Sequence, residues 1–410
     1  MLERLRDWLA GTAGSRVLPN GRACRPDAPP LFVKYARTLW GIPSSYDRVI
    51  VVATLALVTM GVVAFLSAAQ PELEGSVSHA SQRVIEHYAF SIAFAAIVAV
   101  AICRASLERI LSVTSTTYWA TMAIALVVVA TSIEASARGY AVLPLGPLGI
   151  DVAPLMVLVT ILHLAIHVGT CADLKRGLGV RTVVTCAIPI CLLLLVPNAS
   201  LLFVLLLAIV ILLAMAGYYW IATHSSIAIV LTSLWTIIFS SPYRMHRMLY
   251  FLDPSIDRPG SSSWMGNPLA AAIMRGKYLG VGYGEGLAMH YDPQGIYTDS
   301  LTVLIAEEFG FAGILILVAL VAIITLFSLR AARLYASTAV QLVIVGIATF
   351  LVVTALFNLG SIAGLLSLRR SLYPFFGLNL GWMLSNAIGA AVLIVAIRDY
   401  RSQSRGMQAG

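Results

Sequence analysis

Charge is scarce in this sequence. Only 11% of its 410 residues are Asp, Glu, Lys or Arg, against 59% that are hydrophobic. An ordinary soluble domain carries about 25% charged residues, so a water-soluble globular protein is excluded. Other absences narrow the reading. The five cysteines (Cys24, Cys103, Cys171, Cys186 and Cys191) show no paired metal spacing and lie mostly in or beside apolar runs. They read as small thiols, not as a zinc site. No strand precedes the glycines of YLGVGYGEG and no GKS or GKT follows them, which argues against a nucleotide loop. The start, MLERLRDWLAG, mixes charges around an apolar run too short for a signal peptide. No internal repeat stands out, so the sign of an inverted-repeat transporter is missing.

What is present is apolar sequence in long runs. Mean hydropathy is +0.89, and runs of about 18 to 22 residues recur, the mark of an all-α polytopic membrane protein. They lie near 49–69, 84–103, 115–133, 152–170, 181–196, 199–216, 218–240, 300–329, 337–357 and 378–397. That predicts about ten transmembrane helices with a large loop between the seventh and eighth. The net charge of +8 does not point to nucleic acid, because much of it sits in the amino-terminal segment and short loops. Arg104 and Arg109, then Lys175, Arg176 and Arg181, then Arg330 and Arg333 fall in alternate loops, on the side of the basic amino terminus. Glu72 and Glu74 fall on the other side. Basic loops stay in the cytoplasm, so both termini are expected there. Arg369 and Arg370 are the exception, and an anion contact would explain them. The expected division is a cytoplasmic basic tail at 1–46, seven spans over 47–240, an extracytoplasmic loop at 241–298, three spans over 299–398 and a cytoplasmic tail at 399–410.

One polar stretch, Ser240 to Gly310, interrupts this pattern. A bare connection needs only a handful of residues, so a loop of about sixty is expected to carry function. At its end Asp299 stands at the mouth of an apolar helix, where the helix dipole favours a carboxylate; plain N-capping is the simpler alternative. Glu307 and Glu308 follow, roughly 12 Å deeper along the same predicted helix at about 1.5 Å per residue. Helical geometry puts Glu307 near the face of Asp299 and Glu308 on the opposite one. Acidic groups inside a span are costly and suggest function. A buried ion pair with Arg138, Arg244 or Arg247 is the equally available structural account. The loop also brings Arg244, Arg247, Arg258, Arg275 and Lys277, cations suited to headgroups or phosphates, or simply solvated. Gly280, Gly282, Gly284 and Gly286 alternate, which fits tight turns near a ligand or lipid surface. His163 and His167 have an i,i+4 spacing but no third ligand, so they read as a polar helix face and not a metal site.

The stretches RMLYFLDP, GKYLGVGYGEG and YTDSLTVLIAEEFGFAG resemble the outer loop and following helix of the SEDS family, the FtsW and RodA proteins. Further echoes are SSYDRVIVVATLALVTMGVVAFLSA, PLGPLGI and FNLGSIAGLL. The resemblance runs from Tyr46 to Arg398, is most specific over Phe251–Gly313, and is nearest the FtsW branch. It implies an inner-membrane peptidoglycan glycosyltransferase of cell division or cell shape. Lipid II would be its substrate and a class B penicillin-binding protein its partner. The family's catalytic aspartate in His-Thr-Asp-Phe corresponds to Asp299 in Tyr297-Thr298-Asp299-Ser300, and its paired glutamates to Glu307 and Glu308. Those glutamates would orient the site from behind. Arg244, Arg247, Arg275 and Lys277 would hold the lipid pyrophosphate. No protein metal ligands are expected, and a divalent cation, Mg or Mn, is the one cofactor left open.

The departures bear on activity. The family's His is Tyr297 and its Phe is Ser300; Gln-Pro-Ser-Glu becomes Asp151-Val152-Ala153-Pro154. The Glu/Gln-Pro-Asp-x-Gly motif becomes Val196-Pro197-Asn198-Ala199-Ser200, and the last motif shrinks to Pro374-Phe375-Phe376-Gly377-Leu378-Asn379. Two rivals follow: a catalytically degenerate scaffold of a division or elongation complex, and a lipid-linked precursor flippase.

Overall fold

The computed structural model describes residues 46–74, 79–131, 142–145, 148–174, 178–196, 198–224, 227, 266–288, 296, 301–363 and 372–409. The basic tail, most of the expected seventh span and much of the long loop lie outside the described residues, as do Arg138, Arg244, Arg247, Arg258 and Asp299. What is described is overwhelmingly helical. In chain order it comprises α1 (Tyr46–Glu74), α2 (His79–Arg104), α3 (Leu107–Thr131), strands β1 (Val142–Leu145) and β2 (Leu148–Asp151), α4 (Val152–Asp173), α5 (Val180–Leu195) and α6 (Ala199–Met215). After the gap come α7 (Gly266–Gly276), α8 (Leu301–Glu308), α9 (Gly310–Ala332), α10 (Thr338–Ile362) and α11 (Leu380–Ala409).

Seven of the described helices are long and apolar enough to cross a membrane: α1, α2, α3, α4, α9, α10 and α11. The expected spans at 181–196 and 199–216 are α5 and α6, of 16 and 17 residues. At about 1.5 Å per residue these fall short of a hydrocarbon core about 30 Å thick. α3 begins well before the expected start at 115, in spite of a run of hydroxyls. Thr114, Thr117 and Thr121 each return their side-chain hydrogen bond, at 2.8 Å, to the carbonyl four residues back, so the polar groups are satisfied within the helix and do not stop it.

Helices α4, α10 and α11 form the interior, with most of each span buried, whereas only a minority of each of α2, α3 and α9 is buried, as in lipid-facing helices. α4 and α10 run antiparallel and touch through small residues. A Cβ on Gly169 would lie 2.3 Å from the Cα of Ala339, and one on Gly346 would lie 2.7 Å from a methyl of Ile161. Asp173, at the end of α4, accepts the free N–H of Thr338 at the start of α10 at 3.2 Å.

An antiparallel hairpin of β1 and β2, with Leu145 opposite Leu148, departs from the purely helical expectation. Its last residue, Asp151, caps α4 by accepting from the N–H of Ala153 at 3.0 Å. Its other carboxylate oxygen receives Asn379 Nδ2 at 3.2 Å. Asn379 in turn caps α11 by accepting from Trp382 N–H at 3.0 Å. Two of the departed family motifs therefore meet in one contact that starts two interior helices.

Candidate functional site

The expected single span at 300–329 is two helices. α8 ends at Glu308 and α9 begins at Gly310, with Gly310 at φ +66°, a conformation open to glycine but not to the regular helix. A break of this kind exposes the last carbonyls of one helix and the first N–H groups of the next. The turn that follows α7 satisfies both. The N–H groups of Val281 and Gly282 donate to the carbonyls of Glu307 and Glu308 at 3.0 and 3.1 Å. The carbonyls of Lys277 and Tyr278 accept from the N–H groups of Phe311 and Ala312, both at 3.0 Å. Loop and broken helix cap each other.

The fit is backbone against backbone. Gly280, Gly282 and Gly284 have φ of +86°, +114° and +81°. A Cβ on Gly276 would lie 2.1 Å from the carbonyl oxygen of Ala306. The glycine alternation seen in the sequence thus serves a tight turn, pressed onto the end of α8.

All eight residues of α8 are buried, and Glu307 and Glu308 are 0% and 2% exposed. Buried carboxylates require donors. Glu307 Oε1 accepts from Arg275 Nη1 at 3.1 Å and from Leu287 N–H at 3.0 Å, and Oε2 accepts from Ala288 N–H at 3.0 Å. Arg275 also donates to the Glu285 carbonyl at 3.0 Å. Glu308 Oε1 accepts from Gly284 N–H at 3.2 Å and from the Ser67 hydroxyl of α1. Glu308 Oε2 is buried without a hydrogen-bond partner among the described residues. Burial pushes the Glu308 carboxyl, which precedes span α9, above the usual carboxylate range; the Ser67 and backbone hydrogen bonds pull the other way.

This arrangement differs from the expected division of the two glutamates between opposite faces, because both carboxylates turn onto the same loop. A Cβ on Gly286 would lie 3.0 Å from Glu308 Oε1 and 3.2 Å from Glu307 Oε2. The partner of Glu307 among the described residues is Arg275; the expected partners Arg138, Arg244 and Arg247 lie outside those residues. Arg275 lies in the last turn of α7 and Lys277 opens the turn that follows, exposed and at φ +46°. Asp299 lies two positions before the first residue of α8. Sequence reasoning missed Ser67, a lone serine in an apolar span that carries no signal of its own. It also missed the Asp151–Asn379 contact, for which two polar residues at helix starts were the available sign.

A divalent cation does not fit the described carboxylates. Three of the four oxygens of Glu307 and Glu308 already accept from Arg275, Ser67 or backbone N–H groups, and no group of three or more His, Cys, Asp or Glu among the described residues is arranged to hold a metal. His163 stacks on Tyr118 with ring centroids 4.6 Å apart. His167 Nε2 lies 3.0 Å from the Thr182 hydroxyl.

Comparison with known proteins fixes the family. The profile of the cell cycle protein family named for FtsW, RodA and SpoVE matches residues 47–398. A probable peptidoglycan glycosyltransferase FtsW of Shewanella sediminis is 25% identical over 380 residues, covering 89% of each chain. One of Legionella pneumophila is 29% identical over 279 residues, 65% of this chain and 69% of the relative. Among solved structures, a chain described under structural coordination of polymerization and crosslinking by a peptidoglycan synthase complex superposes with a TM-score of 0.65 at 19% identity, over 85% of this chain and 97% of that one. The rod shape determining protein RodA of Thermus thermophilus gives a TM-score of 0.62 at 18% identity, over 85% and 96%. The structural likenesses establish the membrane fold, and the profile match across nearly the whole described body makes this chain a member of the FtsW/RodA/SpoVE cell cycle protein family.

Proposed function

We propose that this chain is a peptidoglycan glycosyltransferase that polymerises lipid II at the outer face of the bacterial cytoplasmic membrane, together with a class B penicillin-binding protein. The supporting observation is the family match over residues 47–398, together with relatives named as probable peptidoglycan glycosyltransferases. In this reading Asp299 is the general base. It takes the proton from the acceptor sugar hydroxyl, whose oxygen attacks the anomeric carbon of the donor. The bond from that carbon to the pyrophosphate oxygen breaks, and the lipid pyrophosphate leaves with the electron pair. Lys277, Arg244 and Arg247 would stabilise the departing charge. Arg275, already engaged by Glu307, would contribute mainly by holding the loop. Both termini would be cytoplasmic.

What supports such a role for Asp299 is its place in the sequence, two positions before a wholly buried helix whose far end is locked by Glu307, Glu308 and the glycine turn. The test is Asp299→Asn in a lipid II polymerisation assay with the cognate transpeptidase. Loss of about 10²–10⁴-fold in rate is expected for a general base, and full glycan synthesis by the variant overturns the role. The same assay with EDTA, then with added Mg or Mn, tests the divalent-cation expectation.

The contact between Asp151 and Asn379 favours a second reading, a non-catalytic scaffold. Two motif positions that differ from the family here cap helices and bond to each other. Wild-type chain that binds the transpeptidase but makes no polymer would establish that reading.

A further inference from the structure

The glycine turn that closes over the helix break leaves its outward side chains uncovered. Tyr278 and Leu279 are 81% and 82% exposed, and Met274, one turn back on α7, is 72% exposed. Their backbone, by contrast, is fixed. The carbonyls of Lys277 and Tyr278 hold the first turn of α9. A Cβ on Gly310 would meet Tyr278 C at 2.6 Å and Leu279 N at 2.7 Å. The two most exposed apolar side chains of the turn are therefore held beside the end of a membrane-spanning helix.

That helix identifies the occupant. Phe311, Leu315 and Val318 of α9 are 60%, 56% and 40% exposed. Their spacing of four and three residues places them on one face. An exposed apolar face on a spanning helix meets hydrocarbon. Phe311 belongs to that face and donates its N–H to the Lys277 carbonyl, as Ala312 does to that of Tyr278, so the backbone of Tyr278 and Leu279 lies at the end of the lipid-facing stripe. The exposed Lys277, and Arg275 with 38% of its side chain exposed, sit at the same level, where lipid phosphates would lie. Tyrosine and lysine are the side chains that settle at this boundary, ring or stem toward the chains and polar end toward the headgroups.

We infer that the Tyr278–Leu279 tip, with Met274 beside it, enters the interfacial layer of the bilayer and anchors the glycine turn to lipid. The same turn gives the N–H groups of Gly284, Leu287 and Ala288 to Glu308 and Glu307. The bilayer contact therefore also sets the depth of α8 against the headgroup phosphates. That last consequence rests on the proposed glycosyltransferase activity, since only a lipid-linked substrate needs the height; the membrane contact itself does not.

The test is depth measurement by spin labelling. Full-length chain with its native cysteines replaced by alanine carries Tyr278→Cys or Leu279→Cys, is labelled with a nitroxide, and is reconstituted in phosphatidylethanolamine–phosphatidylglycerol vesicles. Collision with oxygen, which concentrates in lipid, is compared with collision with a water-soluble nickel chelate. Both labels are expected to prefer oxygen, as a label at Phe311→Cys should, whereas one at the exposed Glu285→Cys should prefer nickel. Preference for nickel at both tip positions overturns the inference. Exclusion of both reagents overturns it too, because the tip would then lie under protein. The readout does not use catalysis: oxygen-accessible labels on a chain that makes no glycan would retain the anchor and remove only the activity.

Discussion

A Cβ on Gly280 would stand 1.9 Å from the carbonyl oxygen of Glu308. The neighbouring N–H groups of Val281 and Gly282 reach the carbonyls at the end of α8, so any side chain at Gly280 would push the turn off the helix it caps. Gly280→Ala combines this clash with the penalty of φ +86°. Together they should destabilise the protein by about 2–4 kcal/mol. Gly282→Ala is the control: its φ is +114°, yet its Cβ would meet nothing closer than a side-chain carbon of Glu285 at 3.8 Å. It should lose only the conformational part, about 1–2 kcal/mol. Thermal unfolding in detergent measures both. Equal losses would mean that the close approach to Glu308 carries no weight.

Glu307 and Arg275 form an unequal pair. The carboxylate is fully buried and the guanidinium partly solvated, with side-chain exposures of 0% and 38%. Removing Glu307 strands the N–H groups of Leu287 and Ala288 as well as a cation. Glu307→Ala should lower stability by about 2–5 kcal/mol, since each stranded buried donor costs about 1–3 kcal/mol. Arg275→Ala leaves both backbone donors on the carboxylate, and water screens much of the lost attraction, so about 1–2 kcal/mol is expected. Chemical denaturation of the two variants compares them. A larger loss for Arg275→Ala would show that the ion pair, and not the backbone clasp, holds the loop.

The Asp151–Asn379 contact makes a similar comparison possible in the interior. Asn379→Ala removes a donor to Asp151 and the cap on Trp382 N–H together, and a lost cap costs about 1 kcal/mol before the carboxylate is counted. Asp151→Asn retains a side-chain oxygen for Ala153 N–H and should lose less. If Asn379→Ala leaves the unfolding temperature unchanged, the contact is incidental.

Much of this body was legible from hydropathy alone. Spans α1, α2, α4, α10 and α11 fall within a few residues of where apolar runs predict them at one or both ends, because length and composition suffice for a helix that must satisfy its backbone in lipid. What was not legible was decided by distant contacts. Phe309-Gly310-Phe311 reads as unbroken apolar sequence; only the turn from Lys277 to Gly282, pressed onto it, turns glycine's permissiveness into a break. The Arg275–Glu307 pair spans 32 residues, and the Ser67–Glu308 bond spans 241, so local pattern could favour no partner over another. Asp151 and Asn379 each looked like a motif lost, and only the fold makes them one contact.

Glu308 gives the pH dependence. Burial raises its carboxyl pKa, against the pull of Ser67 and of the Gly284 and Gly286 N–H groups, while the Glu307 charge adds to the rise. A carboxyl whose folded pKa exceeds its unfolded one favours the folded state in its protonated form. That contribution is whole below the ordinary glutamate value, about 4.3, and is lost as pH rises through the folded value. Glu308→Gln is neutral at every pH and keeps an oxygen to accept from Gly284 and Ser67. Wild type and variant should therefore unfold at similar temperatures in acid, and the variant should gain on wild type as pH climbs toward neutrality. Ser67→Ala deletes a bond that favours the ionised form, so in that background the divergence should start at the same pH, keep growing to a higher pH and end larger. Unfolding temperatures taken in detergent across this range decide the matter. A difference that stays flat with pH would mean Glu308 keeps its ordinary pKa, with its second oxygen reached by water or by another part of the chain.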